Sequence, residues 1–417
     1  MADWLGYLEG RNRNAIVLGL DRVRAVRQRL ALDPDFLLIT VGGTNGKGSV
    51  CAYLESILLA AGYRVGCYTS PHLLRYNERV RVAGKEAPDA ELCTAFAAVE
   101  TARGDIPLTY FEQGTLAALW LFQRAGLDVA VLEVGLGGRL DAVNAWDADC
   151  AVVSSVDLDH QAFLGDTREA IGFEKAGIFR PGRPAICGDL TPPDSLLAHA
   201  EAVGVRLLRL GRDIRSETDA LALGGTWQCR MPDAVLPALP RPAMPGRHQF
   251  GNAACALAAL SSLRAVLPVP MAALRQGLAT ARQPGRFQVV GQAPLRILDV
   301  AHNPHAAQAL ADNLADLPPG GRVLAVFAIL ADKDAVGVVM PLAGRIGHWH
   351  LAGLDGDRGL SGPALAERLA PLGLSATVHA TVAEAWQAAC REAGPADTIA
   401  AFGSFHTVAG VLTETHG

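Results

Sequence analysis

Lys47 and Ser49, two residues apart behind a glycine-rich turn, are the residue types that capture and neutralise terminal phosphates. They close the stretch Val41-Gly42-Gly43-Thr44-Asn45-Gly46-Lys47-Gly48-Ser49. Glycines let backbone N–H groups curl round an anion, a helix N-terminus adds positive dipole, a lysine reaches the outer phosphates and a hydroxyl can ligate magnesium. The match to the usual phosphate loop is imperfect. Its first glycine position holds Val41, and Gly48 separates the lysine from the hydroxyl residue. A bare strand-to-helix turn would need neither Lys47 nor Ser49, so the reading is a nucleoside triphosphate site of variant type.

Other polar groups fall where apolar runs end. Ser70-Pro71-His72 follows Arg64–Thr69, and Glu133 follows Asp128-Val129-Ala130-Val131-Leu132. A buried strand that delivers a carboxylate to a sheet edge can hold magnesium or polarise water. Asp157-Leu158-Asp159-His160 follows Cys150–Val156. A lone histidine is more often structural, but a third strand-end cluster in one sheet favours a ligand role for His160. Gly135 and Gly137 do not form a dinucleotide fingerprint, because its third glycine position is Leu140. Lys175, in Glu174-Lys175-Ala176-Gly177-Ile178, reads by itself as a solvated helix lysine. The economical picture is that Lys47 and the loop amides hold ATP phosphates. Ser49, Ser70, Glu133 and His160 would then offer ligands to one or two Mg2+ ions.

The elements that must position these groups follow from periodicity. Phe36–Thr40 reads as a buried strand and Ser49–Ala61 as a helix, so the loop lies between strand and helix. Helices are expected over 89–103, from after Thr109-Tyr110-Phe111-Glu112 to about Gln123, over 166–178 and over 246–265. Thr109–Glu112 itself reads as a loop. The opening residues 4–30 read as a packing segment ending in a helix. Residues 205–240 break into short segments punctuated by proline and glycine, a small β insertion. The pattern breaks at Gln283-Pro284-Gly285-Arg286, the best linker. Strands at 295–300, 322–328, 347–352, 376–379 and 397–402 then alternate with helices at 305–315, 333–345, 361–370, 381–393 and 406–414. That alternation is a second α/β domain. Its strand ends carry Asp299-Val300-Ala301-His302-Asn303-Pro304 and Gly403-Ser404-Phe405-His406. Such a domain could close over the nucleotide, and the cleft would suit phosphoryl transfer.

A chain of 417 residues exceeds what one core normally supports. Its 50% hydrophobic and 19% charged residues are those of a globular protein. A formal net charge of −5 offers no basic field for nucleic acid or an anionic membrane, so an anionic substrate needs local positive charge. The first residues lack a signal-peptide pattern and no apolar run is long enough to span a bilayer, so a cytoplasmic protein is expected. The eight cysteines are scattered without metal-type pairing and read as buried free thiols.

Taken together, Gly43–Ser49, Thr69-Ser70-Pro71-His72-Leu73, Leu132–Asp141, Glu174–Ile178 and Ala301-His302-Asn303-Pro304 closely resemble the folate branch of the Mur ligase superfamily. The resemblance runs from Trp4 to Val408. It implies an α/β fold: an N-terminal P-loop ATPase-type domain with a mostly parallel sheet and a small β subregion, and a smaller C-terminal Rossmann-like domain. The expected boundaries are 1–283 with the β insertion at about 205–240, a linker at 284–288, and a glutamate-ligase domain at 289–417. The implied reaction is ATP-dependent addition of L-glutamate to 7,8-dihydropteroate and to the γ-carboxyl of tetrahydrofolate. ATP phosphorylates the acceptor carboxylate, the glutamate amine attacks the acyl phosphate, and phosphate leaves.

By the same likeness, Thr44, Asn45, Gly46, Lys47, Gly48 and Ser49 cradle phosphates, and Ser49, Ser70, Glu133 and His160 hold Mg2+. Lys175 would be carbamylated and support a metal. Asn252, Arg286 and Asp299 would contact ATP, so that closure of the second domain completes the nucleotide site. His302 and Ser404 would face glutamate, His302 among the catalytic residues. The pterin acceptor would lie near Ala15, Ile16, Val17 and Leu18, near Thr109, Tyr110, Phe111 and Glu112, and near Leu140, Asp141 and Ala142. All partners would be small molecules, with no nucleic acid or membrane, and the chain a monomer. Gly42 stands where alanine is frequent and Ala328-Ile329 where glycine-methionine is usual; neither change removes a charge or a ligand. The alternatives are a ligase that only extends folates, a cell-wall precursor ligase, and a nucleotide-gated binding module without catalysis. The Leu108–Glu112 segment favours the bifunctional form, and the folate-type motifs argue against a cell-wall ligase. Glu133 and His160 at strand ends argue against a pure switch, which needs no acceptor cleft.

Overall fold

A computed structural model describes residues 1–11, 16–218, 225–318 and 320–416. The chain divides into two compact units, Met1–Ala243 with Gln249–Arg282, and Met244–His248 with Gln283–Gly417. Among the described residues the strands of the first unit form two sheets. The larger has the order β4-β3-β2-β5-β1-β6-β7-β8. Its strands are β1 Leu37–Gly42, β2 Val65–Tyr68, β3 Val80–Val82, β4 Lys85–Glu86, β5 Val129–Glu133, β6 Cys150–Val153, β7 Pro184–Cys187 and β8 Arg206–Arg209. From β2 to β8 all neighbours pair in parallel, and β3 and β4 add an antiparallel edge.

The central strands are mostly apolar because helices cover both faces of a parallel sheet. β5 and β6 are buried at every position, and β1 at all but its first. The core on one side gathers Val26, Phe96, Leu116, Phe122 and Trp146. Sequence chemistry sets the helix ends. Helix Asp89–Arg103 starts after Pro88 and stops at Gly104. Helix Tyr110–Ala125 starts under a reciprocal cap in which Thr109 and Glu112 each accept the other's backbone N–H, and it stops at left-handed Gly126.

Several elements differ from the sequence reading. Thr109–Glu112 is the helix cap and first turn instead of a loop, because the Thr-x-x-Glu pattern satisfies the first free N–H groups. β8 joins the main sheet by pairing with β7, so among the described residues the small antiparallel sheet consists of β9 Arg215–Thr218, β10 Trp227–Met231 and β11 Ala234–Leu239. Helices Asp194–Val203 and Met271–Thr280 stand where none was expected.

Among the described residues the second unit has one sheet, of order β12-β13-β17-β14-β15-β16. The strands are β12 Gln288–Gln292, β13 Leu295–Leu298, β14 Val323–Phe327, β15 Ile346–Ala352, β16 Ala376–His379 and β17 Thr398–Phe402. β12 pairs antiparallel with β13 and the others pair in parallel. Phe327, Trp349 and Phe402 pack together within its core, Trp349 meeting the other two rings edge-on. The helix expected over 333–345 is confined to Ala335–Val339, capped by Asp334.

Candidate active site

β1 runs into the phosphate loop, and two glycines fix the loop's path. Gly43 has φ 141, and a Cβ there would lie 2.0 Å from Ser154 Oγ. Gly46 has φ 85 at the helix N-cap, and a Cβ there would lie 2.6 Å from Asn252 Oδ1. The loop is tied to the exit of β6. Thr44 N donates to Ser155 O (2.8 Å), Asp157 N to Thr44 Oγ1 (2.9 Å), Asn45 N to Ser155 Oγ (3.0 Å) and Ser154 Oγ to Asn45 O (2.6 Å).

Lys47 opens the helix Lys47–Ala60, and its Nζ donates back to Gly43 O (2.9 Å) and Thr44 O (3.2 Å). The ammonium is therefore held at the loop by its own carbonyls. Ser49 is buried and accepts from Gln249 Nε2 (3.3 Å), whose Oε1 accepts from Asn252 Nδ2 (3.1 Å). Asn252, some 200 positions away in sequence, thereby reaches the loop through a glutamine three residues before it. The Gln249–Asn252 spacing on one helix face is the signal that could have found Gln249.

Glu133 is the last residue of β5, in register with Val41 of β1, and only 4% exposed. Ser70, just past β2, donates its backbone N–H to Glu133 Oε2 at 3.0 Å. His160 has φ 51, in the left-handed region, and its Nε2 lies 3.9 Å from Asp159 Oδ2. The fold thus brings Lys47, Ser49, Ser70, Glu133 and His160 to the carboxyl ends of the adjacent strands β2, β5, β1 and β6. Open α/β sheets bind ligands at that edge.

Lys175 overturns its local reading as a solvated lysine: it is 3% exposed in helix Arg168–Ala176. Burial, then the charge of Lys47, lowers its pKa to about 7, against the opposing pull of Asp159 and Asp141. Asp141 is buried and raised to about 7 by that burial, although Leu136 N (2.8 Å) and Val143 N (3.1 Å) donate to it and Lys47 favours its anion. Lys47, Lys175, Asp141 and Asp159 therefore form one electrostatic cluster, which no local pattern announces. Glu174, beside Lys175, pairs instead with Arg139 at 2.7 Å.

The expected acceptor segments are partly assembled. Ala15 lies outside the described residues. Ile16 and Val17 are exposed, and the next glycine, Gly19, donates its N–H to Leu140 O at 3.3 Å, which draws the 16–18 segment toward 140–142. Glu112 is buried and paired with Arg22 at 2.7 Å, so its carboxylate is already engaged by that cation and the helix cap. Tyr110 meets Tyr76 edge-on with the Arg79 guanidinium 5.5 Å above it. Phe111 packs on Tyr68 and sits where a side chain at position 135 would go. Arg22, which the sequence reading passed over, is the cation this segment is built on.

In the second unit, Asp299 accepts from Phe287 N and Ala301 N, both at 2.8 Å. Burial raises its pKa while the Arg286 charge opposes. Arg286 lies 5.9 Å over the Phe405 ring. His302 Nδ1 is 2.8 Å from Val300 O. Ser404 is buried, and its Oγ accepts from Thr407 N at 3.0 Å, so it caps the helix Phe405–His416.

Comparison with known proteins places this geometry in context. Residues 41–260 match the Mur ligase middle domain, and residues 285–405 match the Mur ligase glutamate ligase domain. A dihydrofolate synthase/folylpolyglutamate synthase of Escherichia coli is 49% identical over 414 residues, 99% of this chain and 94% of that protein. The solved structure of E. coli FolC in complex with DHPP and ADP superposes with a TM-score of 0.93 at 48% identity, over 100% of this chain and 97% of that one. A bifunctional folylpolyglutamate synthase/dihydrofolate synthase with Mn, AMPPNP and L-glutamate bound gives 0.91 at 47% identity, over 100% of this chain and 98% of that one.

Proposed function

The chain belongs to the Mur ligase family, and from that premise we propose how its residues divide the work of ATP-dependent glutamate ligation. It is an ATP-dependent acid–amino-acid ligase that adds L-glutamate to 7,8-dihydropteroate and to the γ-carboxyl of tetrahydrofolate through an acyl phosphate. It takes ATP as a substrate and works with a divalent metal ion. The observation that carries the residue assignment is the convergence of a backbone-cradled lysine, a buried carboxylate and two hydroxyl residues at neighbouring strand ends.

A carboxylate is a poor electrophile, and making it an acyl phosphate requires two anions to meet. Lys47 and the N–H groups of Gly46–Ser49 would hold the phosphates, spending positive charge and helix dipole where negative charge gathers, while Thr44 and Asn45, whose N–H groups are engaged by Ser155, would set the path of the loop. Asn252, Arg286 and Asp299 would contact the nucleotide. The donor set Ser49, Ser70, Glu133 and His160 fits a hard divalent ion such as Mg2+, since oxygen donors dominate and the carboxylate is buried at the sheet edge. When bound, the ion would offset repulsion between acceptor carboxylate and γ-phosphate.

Lys175, held near neutrality by burial and by Lys47, has the amine lone pair that attack on CO2 requires. The N–C bond would form as one C=O π pair of CO2 moves onto oxygen, the amine proton would leave to solvent, and a carbamate anion would stand beside Lys47 in place of the neutral amine. His302 and Ser404 would serve the glutamate side, and Ile16–Leu18, Thr109–Phe111 and Leu140–Ala142 the pterin side. Glu112, engaged by Arg22 and the cap, would shape that segment more than touch the ligand. No helix among the described residues is long and apolar enough to cross a membrane. The protein is taken to work in the cytoplasm as a monomer on small molecules, without nucleic acid.

The test is Mg2+-dependent phosphate release from ATP with L-glutamate and dihydropteroate, then with tetrahydrofolate, the products being identified by mass. Glutamate addition to both acceptors supports the reading. Addition to the folate alone reduces the protein to an extending enzyme, and addition to neither overturns the assignment.

A further inference from the structure

The second unit holds a cluster of metal-ligating side chains that the ligation chemistry leaves unused. His348 and His350 are two residues apart on β15, so they share one face of the sheet. Helix Val382–Glu392 ends beside them. One ligand atom from each of His348, His350 and Glu392 lies within 4.8 Å of the others.

His350 is 3% exposed, and its buried Nε2 makes no hydrogen bond. That atom nevertheless lies 3.3 Å from Glu392 Oε2, too poorly aligned to be a hydrogen bond. A buried polar atom without a partner is costly, so the arrangement needs another explanation. The 3.3 Å separation equals the edge of a tetrahedron with ligand bonds of about 2.0–2.1 Å. The rest of the surroundings suits a metal. His350 Nδ1 lies 3.1 Å from His379 Nε2, so donation of Nδ1–H to His379 leaves the Nε2 lone pair facing Glu392.

Glu392 Oε1 is held by Arg322 Nη1 at 3.0 Å, which turns Oε2 toward His350. His348 is oriented by Ser375 Oγ (2.9 Å) and Thr377 Oγ1 (3.0 Å), one of which must give way when a metal takes a ring nitrogen. A simple His–Glu ion pair is the competing account. It requires a buried imidazolium, which the burial of His350 disfavours.

We propose that His348, His350 and Glu392 bind a divalent transition metal of the Zn2+ type, with His379 orienting His350. Two imidazoles and one carboxylate select such an ion over Mg2+, which prefers an all-oxygen shell. The metal would fasten the end of helix Val382–Glu392 to β15.

The test uses full-length protein freed of metal by chelation and titrated with Zn2+ alone, and separately with Co2+ as a spectroscopic stand-in. His348→Asn and Glu392→Gln are the comparison variants, since both positions are at least partly solvent-exposed, and circular dichroism verifies their folding. The parent should bind one more Zn2+ per chain than either variant, gain a few degrees in Tm with Zn2+ that the variants do not gain, and give the strong visible Co2+ absorption of a low-symmetry nitrogen and oxygen site. Ligation with Mg2+ should survive in both variants. Equal Zn2+ stoichiometry in parent and folded variants, or an unchanged Tm response, would overturn the proposal.

Discussion

Replacing Lys175 by methionine should stabilise the protein near neutral pH, and the gain should fade as the pH rises. Lys175 is fully buried, and its folded-state pKa falls from 10.5 to about 7. The unfolded chain therefore binds more protons than the folded chain between pH 7 and 10.5, so stability should rise with pH across that window. At about 1.4 kcal/mol for each pH unit of difference, ordering the lysine costs roughly 4 kcal/mol at pH 7 and about 2 at pH 9, and nothing above 10.5. Lys175→Met keeps most of the side-chain volume and removes the penalty. The assay is denaturant unfolding in CO2-free buffer at pH 7, 9 and 10.5. Tryptophan fluorescence follows the transition, with four of the six tryptophans, Trp146 among them, in the unit that holds Lys175. A companion 13C spectrum under labelled CO2 should show a carbamate signal in the parent and none in the variant. A stability gap that does not change with pH, or a methionine variant weaker than the parent at pH 7, would refute the reasoning by showing that the ammonium is well solvated or firmly paired in the fold.

Lys47→Ala and Glu133→Gln should each abolish ligation while leaving the circular dichroism unchanged; turnover near that of the parent in either would sink its assigned role. Lys175→Ala should lose ligation but recover part of it with acetate or formate, which can place a carboxylate in the vacated space; no recovery at any concentration argues against the carbamate. Arg22→Met strands the buried Glu112 carboxylate and should cost about 3 kcal/mol or more, measured by denaturation, with a larger rise in KM for the pterin acceptor than for ATP. Gly46→Ala forces a Cβ to within 2.6 Å of Asn252 Oδ1 at φ 85, adding about 1–2 kcal/mol of backbone strain and weakening ATP binding in a nucleotide titration.

Local chemistry made much of this protein legible from its sequence. Several core strands are short apolar runs ending in a polar group, and glycine, proline and threonine mark many of the helix ends, so the two α/β units and the phosphate loop follow from patterns within a few residues. Glu133 and Ser70 stand out in the sequence because each follows an apolar run, and the fold sets the Ser70 N–H 3.0 Å from Glu133 Oε2. The Thr109–Glu112 turn reads as a loop in sequence because a reciprocal cap and a polar loop share the same residue types.

What the tertiary structure alone decided depends on residues far apart in sequence. Lys175 looks like a surface lysine until the helix carrying it packs beside the loop that holds Lys47, and only then do burial and a second cation bring its pKa to about 7. Asn252 and Gln249 reach the loop from some 200 residues away, and Arg22 meets Glu112 across 90 positions. The His350 cluster likewise joins two strands and a helix end. Spacing along the chain reports what one element offers, whereas desolvation and charge coupling belong to the space between elements and exist only once the chain has folded.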